Sequence, residues 1–210
     1  MGGMQRIALN ADRPATDAIA AAVAALRGGG VVAFPTDTLY GLAVDPRVDV
    51  AVERLFALKG RDAAAAVPLI AADIEQVALA GDLGDRARRA AAAFWPGPLS
   101  IVIAASNRIS RRALAGGSTV AIRVPANAVA RQLAASFGYP ITATSANRSG
   151  EPPATSADAV AKGLPDVDAI LDAGTVPGGA PSTIIAFDAA GPTLVRAGAV
   201  PWDRVIKSLQ

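Results

Sequence analysis

Cysteine and histidine are both absent from this chain of 210 residues. Without cysteine there is no disulfide, no thiolate nucleophile and no thiolate metal site. Without histidine the chain lacks the usual general base near neutral pH and the commonest metal ligand. Catalysis must then rest on carboxylates, lysine, hydroxyls, a substrate-borne metal ion, or positioning alone. Aromatic residues make up only 4%, so each one is expected at a chosen place. No apolar run reaches the length of a membrane span, and the N-terminus lacks a charged segment leading into a long apolar one. The expectation is a cytoplasmic protein with no membrane contact. Standard phosphate motifs are missing as well. There is no GxxxxGK followed by Ser or Thr, and no GxGxxG; Gly28, Gly29 and Gly30 precede a strand rather than follow one.

The chain is 52% hydrophobic and 18% charged, enough for a sizeable core, although much of the apolar content is alanine. The formal net charge is +2, which does not by itself imply nucleic-acid binding. Residues 31–61 organise the rest. An apolar run, Val31 to Phe34, reads as a buried strand that Pro35 stops. Thr36, Asp37, Thr38 and Tyr40 follow, then Gly41, which permits close backbone approach. Val48, Val52, Leu55, Phe56 and Leu58 repeat near 3.6 residues and predict a helix closed by Lys59 and Gly60. The plain account of Lys59 and Arg61 is two solvated cations at a helix end; the sharper one is a phosphate-handling site.

Elsewhere, strands are predicted at residues 7–9, 67–71, 99–104, 119–124, 141–144, 169–171, 182–187 and 193–195. Helices are predicted from a cap at Asp12 or Thr16 to Arg27, from Asp73 to Ala80, 85–95, from Asn127 to Phe137, from Thr155 or Ser156 to Lys162, and 202–209. Gly81 to Gly84 reads as a break. Helices and strands mix without strict alternation. The fold class is therefore α+β: a twisted mixed β-sheet flanked by helices, in one domain over residues 1–210. Three strand ends carry polar clusters, at 36–40, 144–150 and 179–183. Asp37, Asp45 and Asp49 point to nothing sharper than turns and caps. An arginine in or just after a strand, as at Arg123 and Arg196, is costly to bury unless it meets an anion, either a ligand or a structural carboxylate.

Taken together, FPTDTLYGL (34–42), KGR (59–61), PL (68–69), WPGPLS (95–100), VAIRVP (120–125), TSANRSG (144–150), PST (181–183) and VR (195–196) carry a resemblance. The chain resembles the YrdC/Sua5 family of threonylcarbamoyl-adenylate synthases, in the single-domain YrdC-like form. The resemblance implies a concave, positively charged cleft. It also implies a reaction: L-threonine, bicarbonate or CO2, and ATP (with Mg2+) give threonylcarbamoyl-AMP and pyrophosphate. The product would serve the t6A modification of ANN-decoding tRNAs through other transfer proteins. Carried over by motif, Lys59 and Arg61 are the catalytic cations. Lys59, Arg61, Thr119, Asn147, Thr155 and Arg196 fall on the ATP positions, and Thr38, Arg123, Ser145 and Ser182 on the threonine positions. The family implies no protein-held metal site. Val67 and about Ala72 stand where some members have asparagine and histidine, and residues 63–66 are all alanine, so that loop receives no role. The alternative is a YrdC-like paralogue that binds RNA, through Arg86, Arg88, Arg89, Arg108, Arg111 and Arg112, or binds nucleotide without this activity.

Overall fold

Strand alternation settles which side chains become core and which remain free for a site. The structure is a computed structural model describing residues 3–10, 16–60 and 65–210. In chain order its strands and helices are β1 (Gln5–Ala8), α1 (Thr16–Arg27), β2 (Val32–Pro35), β3 (Tyr40–Ala43), α2 (Asp49–Lys59), β4 (Leu69–Ile70) and α3 (Ile74–Ala80). Next come β5 (Gly81–Asp82), α4 (Gly84–Phe94), β6 (Leu99–Ala105), β7 (Thr119–Arg123), α5 (Ala128–Phe137), β8 (Ile141–Thr142) and β9 (Thr144–Ser145). The last are α6 (Ala157–Gly163), β10 (Ala169–Asp172), β11 (Thr183–Asp188), β12 (Gly191–Arg196) and α7 (Trp202–Lys207). The predicted cap at Asp12 lies outside the described residues.

The α+β class holds, but the strands form two mixed sheets rather than one. A five-stranded sheet has the order β1-β10-β2-β3-β9. A seven-stranded sheet has the order β12-β11-β6-β7-β4-β8, with β5 paired to β6. Helices α1 and α5 cover one face of the smaller sheet, where Ile19, Val23 and Leu26 meet Val129, Leu133 and Phe137 over Val32, Phe34 and Leu171. Asn127 caps α5 by accepting the Ala130 N–H at 3.0 Å, as its position before the apolar stripe predicts. In the larger sheet Ile101, Ile103, Val120 and Ile122 turn inward to a second apolar cluster shared with α2, α3 and α4. Each such fully buried side chain contributes about 1.5–3 kcal/mol. The alternate residues of β6 and β7 therefore face the other way, and no helix covers them where they line the cleft described below.

Three differences from the sequence reading bear on the site. First, residues 40–43, where no strand is predicted, form a strand, β3, in a hairpin with β2. The strand is buried on both faces, so it shows no alternation to reveal it. Gly41 permits the pairing: a Cβ there would sit 3.0 Å from Cζ of Phe34. Second, the run 141–144 is not one strand. Residues 141–142 pair with β4 in the larger sheet, and residues 144–145 pair with β3 in the smaller. Thr142 staples this crossing: its Oγ1 accepts the Val44 N–H at 2.8 Å and donates to the Leu42 carbonyl at 3.4 Å. Third, the break at 81–84 begins with a short strand. Gly81 lies so close to the Ala104 carbonyl that a Cβ would come within 2.0 Å of it.

Candidate active site

A cleft of about 760 Å3 opens between the β2–β3 turn of the smaller sheet and the uncovered face of the larger one. One wall is Thr36, Thr38 and Tyr40 from the hairpin with Ser145 from β9. The floor comes from the outward residues of β6, β7 and β11: Ser100 and Val102, Thr119, Ala121 and Arg123, and Ile184. Ser182 and Arg196 close the far side. The period-two alternation of the strands thus separates a dry core from a site lined with hydroxyls and cations.

Arg123 is the most constrained charge here. Its side chain is only 13% exposed. Nη1 donates to Oδ2 of Asp37 at 3.2 Å, so a structural carboxylate does meet it. Burial nonetheless lowers its pKa from the ordinary arginine value, against the raising effect of Asp37 and with the help of nearby Arg196. Arg196 is also lowered by burial; it donates from Nη2 to the Ser182 carbonyl at 2.7 Å and to Ser182 Oγ at 3.2 Å. No carboxylate among the described residues pairs with Arg196. Ser182 in turn shares a 3.0 Å hydrogen bond with Ser100. A cleft with one half-neutralised and one unneutralised guanidinium favours an anionic ligand.

The hairpin wall is rigid. Thr36 Oγ1 donates to the Leu39 carbonyl at 2.7 Å and closes the turn. Tyr40 is fully buried; its hydroxyl donates to the Gly174 carbonyl at 2.8 Å and accepts the Ala173 N–H at 3.2 Å. Burial raises its pKa, so it stays a neutral donor. The following loop returns over the turn, with the Gly178 N–H bonded to the Thr38 carbonyl at 2.9 Å. That loop delivers Ser182 to the cleft.

Six of the sequence-derived residues meet in this cleft: Thr38, Thr119, Arg123, Ser145, Ser182 and Arg196. Lys59, Asn147 and Thr155 are not among its lining residues. Lys59 is not a solvated helix-end cation; it is only 4% exposed. Its Nζ donates to the carbonyls of Ser145 at 2.5 Å and Asn147 at 2.8 Å, and its own carbonyl accepts the Ser149 N–H. It braces, from behind, the strand that presents Ser145. Asn147 donates from Nδ2 to the carbonyls of Arg148 and Glu151, while its Oδ1 is buried with no partner among the described residues. Thr155 accepts the Val176 N–H through its carbonyl. Arg61 lies outside the described residues. Val67, in the place of the family's asparagine, is buried in the core, while Ala65 and Ala66 reach the cleft.

Sequence reasoning missed Ser100 and the use of Asp37. Ser100 was recoverable, since it sits on the outward phase of an otherwise apolar strand. Asp37 was not, because its partner is 86 residues away. Of the arginines considered for RNA, Arg88 pairs with Asp82 and Arg112 with Glu53.

Comparison with known proteins identifies the group to which this arrangement belongs. A family model described as Telomere recombination (Sua5/YciO/YrdC) matches residues 24–198. A Pyrococcus abyssi protein named threonylcarbamoyl-AMP synthase is 39% identical over 184 residues, covering 87% of this chain and 54% of its own length. One of the same name from Chromohalobacter salexigens is 45% identical over 172 residues, covering 80% of this chain and 91% of its own. The chain thus spans about half of the former relative and most of the latter. The crystal structure of P. abyssi Sua5 complexed with L-threonine superimposes with a TM-score of 0.91 at 36% identity, covering 97% of this chain and 60% of that one. Fold and sequence agree, and the chain belongs to the Sua5/YciO/YrdC family.

Proposed function

We propose that the chain is a threonylcarbamoyl-AMP synthase, a nucleotidyltransferase that condenses L-threonine, bicarbonate or CO2, and ATP into threonylcarbamoyl-AMP and pyrophosphate. The observation that carries this reading is the meeting of Arg123 and Arg196 with the hydroxyls of Thr38, Thr119, Ser145 and Ser182 in one cleft. The names of the relatives, and a bound L-threonine in one solved relative, support it.

In this reading Arg123 binds the threonine carboxylate, and Thr38, Ser145 and Ser182 hold its amine and hydroxyl. The free amine attacks CO2 and releases a proton, leaving a carbamate. A carbamate oxygen then attacks the α-phosphorus of ATP; the bond to the bridging oxygen breaks and pyrophosphate leaves. Arg196, with Arg61 and Thr119, stabilises the phosphate charge. Lys59 and Asn147 support the strand and turn that carry Ser145, and Thr155 supports the neighbouring loop. Phosphoryl transfer of this kind needs positioning and charge stabilisation more than a dedicated base, which suits a chain without histidine. Magnesium enters as the Mg·ATP substrate.

The product would pass to t6A transfer proteins acting on ANN-decoding tRNAs, with residues 1–210 acting as one catalytic domain. Among the described residues no helix is long and apolar enough to cross a membrane. The test is pyrophosphate release by the purified chain with Mg·ATP, with and without L-threonine and bicarbonate, with the adenylate identified by mass spectrometry. Release that requires both co-substrates and is lost in Arg123→Ala is expected. ATP binding without such release would refute the reading and favour a nucleotide-binding or RNA-binding paralogue.

A further inference from the structure

Arg123 is held from one side only. Its Nη1 meets Asp37, and its remaining guanidinium N–H groups have no protein partner among the described residues, although the side chain is almost buried. Those N–H groups are reachable from the cleft, and arginine uses its planar fork to bind carboxylates in pairs of bonds. The unmatched edge belongs to a side chain that lines the cleft. Asp37 does not line the cleft. Its Oδ2 also accepts the Ala126 N–H at 3.3 Å, just beyond the proline that ends β7. One carboxylate oxygen therefore ties the β2–β3 turn of the smaller sheet to the end of β7 in the larger, at the residue that faces the ligand. Free rotation of a long side chain would otherwise have to be frozen each time a ligand bound.

We propose that Asp37 is a positioning residue, which holds the Arg123 guanidinium from outside the cleft so that its open edge receives the carboxylate of the amino-acid substrate. The carboxylate part of this inference rests on the threonine reading above; the holding of Arg123 does not. Asp37 touches no substrate. It preorganises the fork and compensates its charge while the site is empty. The incoming carboxylate then completes a chain of Asp37, Arg123 and substrate, in which the guanidinium bridges two anions. Arg196 offsets the second negative charge, since it is near enough to act electrostatically on Arg123.

The experiment uses the full chain and its Asp37→Asn and Asp37→Glu variants. The Arg123 Nη–H resonances are identified by their loss in Arg123→Lys. In the wild type the Nη1–H that meets Asp37 should be protected from solvent exchange; in Asp37→Asn it should shift and exchange about tenfold faster, the scale of one lost charge-assisted hydrogen bond. In steady-state turnover Asp37→Asn should raise the KM for L-threonine about tenfold and leave the KM for Mg·ATP within about twofold, with partial recovery in Asp37→Glu. An unchanged Arg123 resonance in Asp37→Asn overturns the proposal whatever the kinetics. So does a fall in kcat with both KM values unchanged, which marks a purely structural tie. If Asp37→Asn does not fold, Asp37→Glu carries the same two measurements, because it keeps the charge and displaces it. If the wild type shows no threonine-dependent release of pyrophosphate, the functional reading has failed, and the resonance alone decides whether Asp37 holds Arg123.

Discussion

Replacing Gly198 by alanine should damage the cleft from outside it. Gly198 lies beyond β12 and packs on the backbone that carries Ser182. A Cβ built on it would lie 2.3 Å from the Pro181 carbonyl oxygen, 2.5 Å from the Ser182 carbonyl carbon and 2.5 Å from the Thr183 nitrogen. All three are backbone atoms, so no rotamer change relieves the clash. Two further ties hold the segments together: the Ala199 N–H donates to the Pro181 carbonyl at 2.9 Å, and Thr183 Oγ1 donates to the Val200 carbonyl at 2.7 Å. The strands must part by about 1 Å to reach ordinary contact, which costs about 1–3 kcal/mol as overpacking. For a chain of this size that lowers the melting temperature by roughly 2–10 °C. The displaced backbone carries Ser182, to which Arg196 and Ser100 are bonded, so threonine and ATP affinity should fall together. The assay is a thermal melt followed by steady-state kinetics. Gly163→Ala serves as the control, since a Cβ there meets nothing within 4 Å. It should leave stability within about 1 kcal/mol, the size of the glycine-to-alanine effect in a helix. Equal melting temperatures for Gly198→Ala and the wild type would refute the close-approach argument.

Thr142→Val removes both hydrogen bonds at the crossing between sheets and leaves the Val44 N–H unmatched. Urea denaturation should show a loss of about 1–3 kcal/mol. Lys59→Met removes a buried cation that donates to two carbonyls, and should cost about 2–4 kcal/mol by the same assay, with kcat reduced through disorder of Ser145. Asp172 supplies a pH test. Burial pushes its carboxyl up, but the Gly174 N–H and Arg6 outweigh that and hold it below the ordinary carboxylate value. A depressed folded pKa contributes stability above the unfolded value and loses it as pH falls through the folded one. The stability advantage of the wild type over Asp172→Asn should therefore be full at neutral pH and shrink through the acid range. An advantage that is the same at neutral and acid pH would refute the assignment.

The chain by itself determined a good deal. Period-two alternation in residues 99–104 and 119–124 already separates Ile101, Ile103, Val120 and Ile122 from Ser100, Thr119 and Arg123, and the structure places the first set in the core and all of the second in the cleft. Caps at Asp73, Asn127 and Ser156 were legible because a cap is a bond between residues three apart. The antiparallel pair β11–β12 was legible because two strand-like runs flank residues 189–192, although Gly191 and Pro192 already pair within β12 and the turn itself is Ala189–Ala190. What escaped is long-range. Lys59 reads as a surface cation until the carbonyls of Ser145 and Asn147 arrive from almost ninety residues away to bury it. Asp37 reads as a turn residue until β7 brings Arg123 beside it. The split of residues 141–145 between two sheets depends on where β3 and β4 stand, not on anything in those five residues. Local pattern chooses which way a side chain points, because that depends on backbone geometry over a few bonds. Which charge meets which partner depends on the packing of whole sheets, and only the tertiary structure decides it.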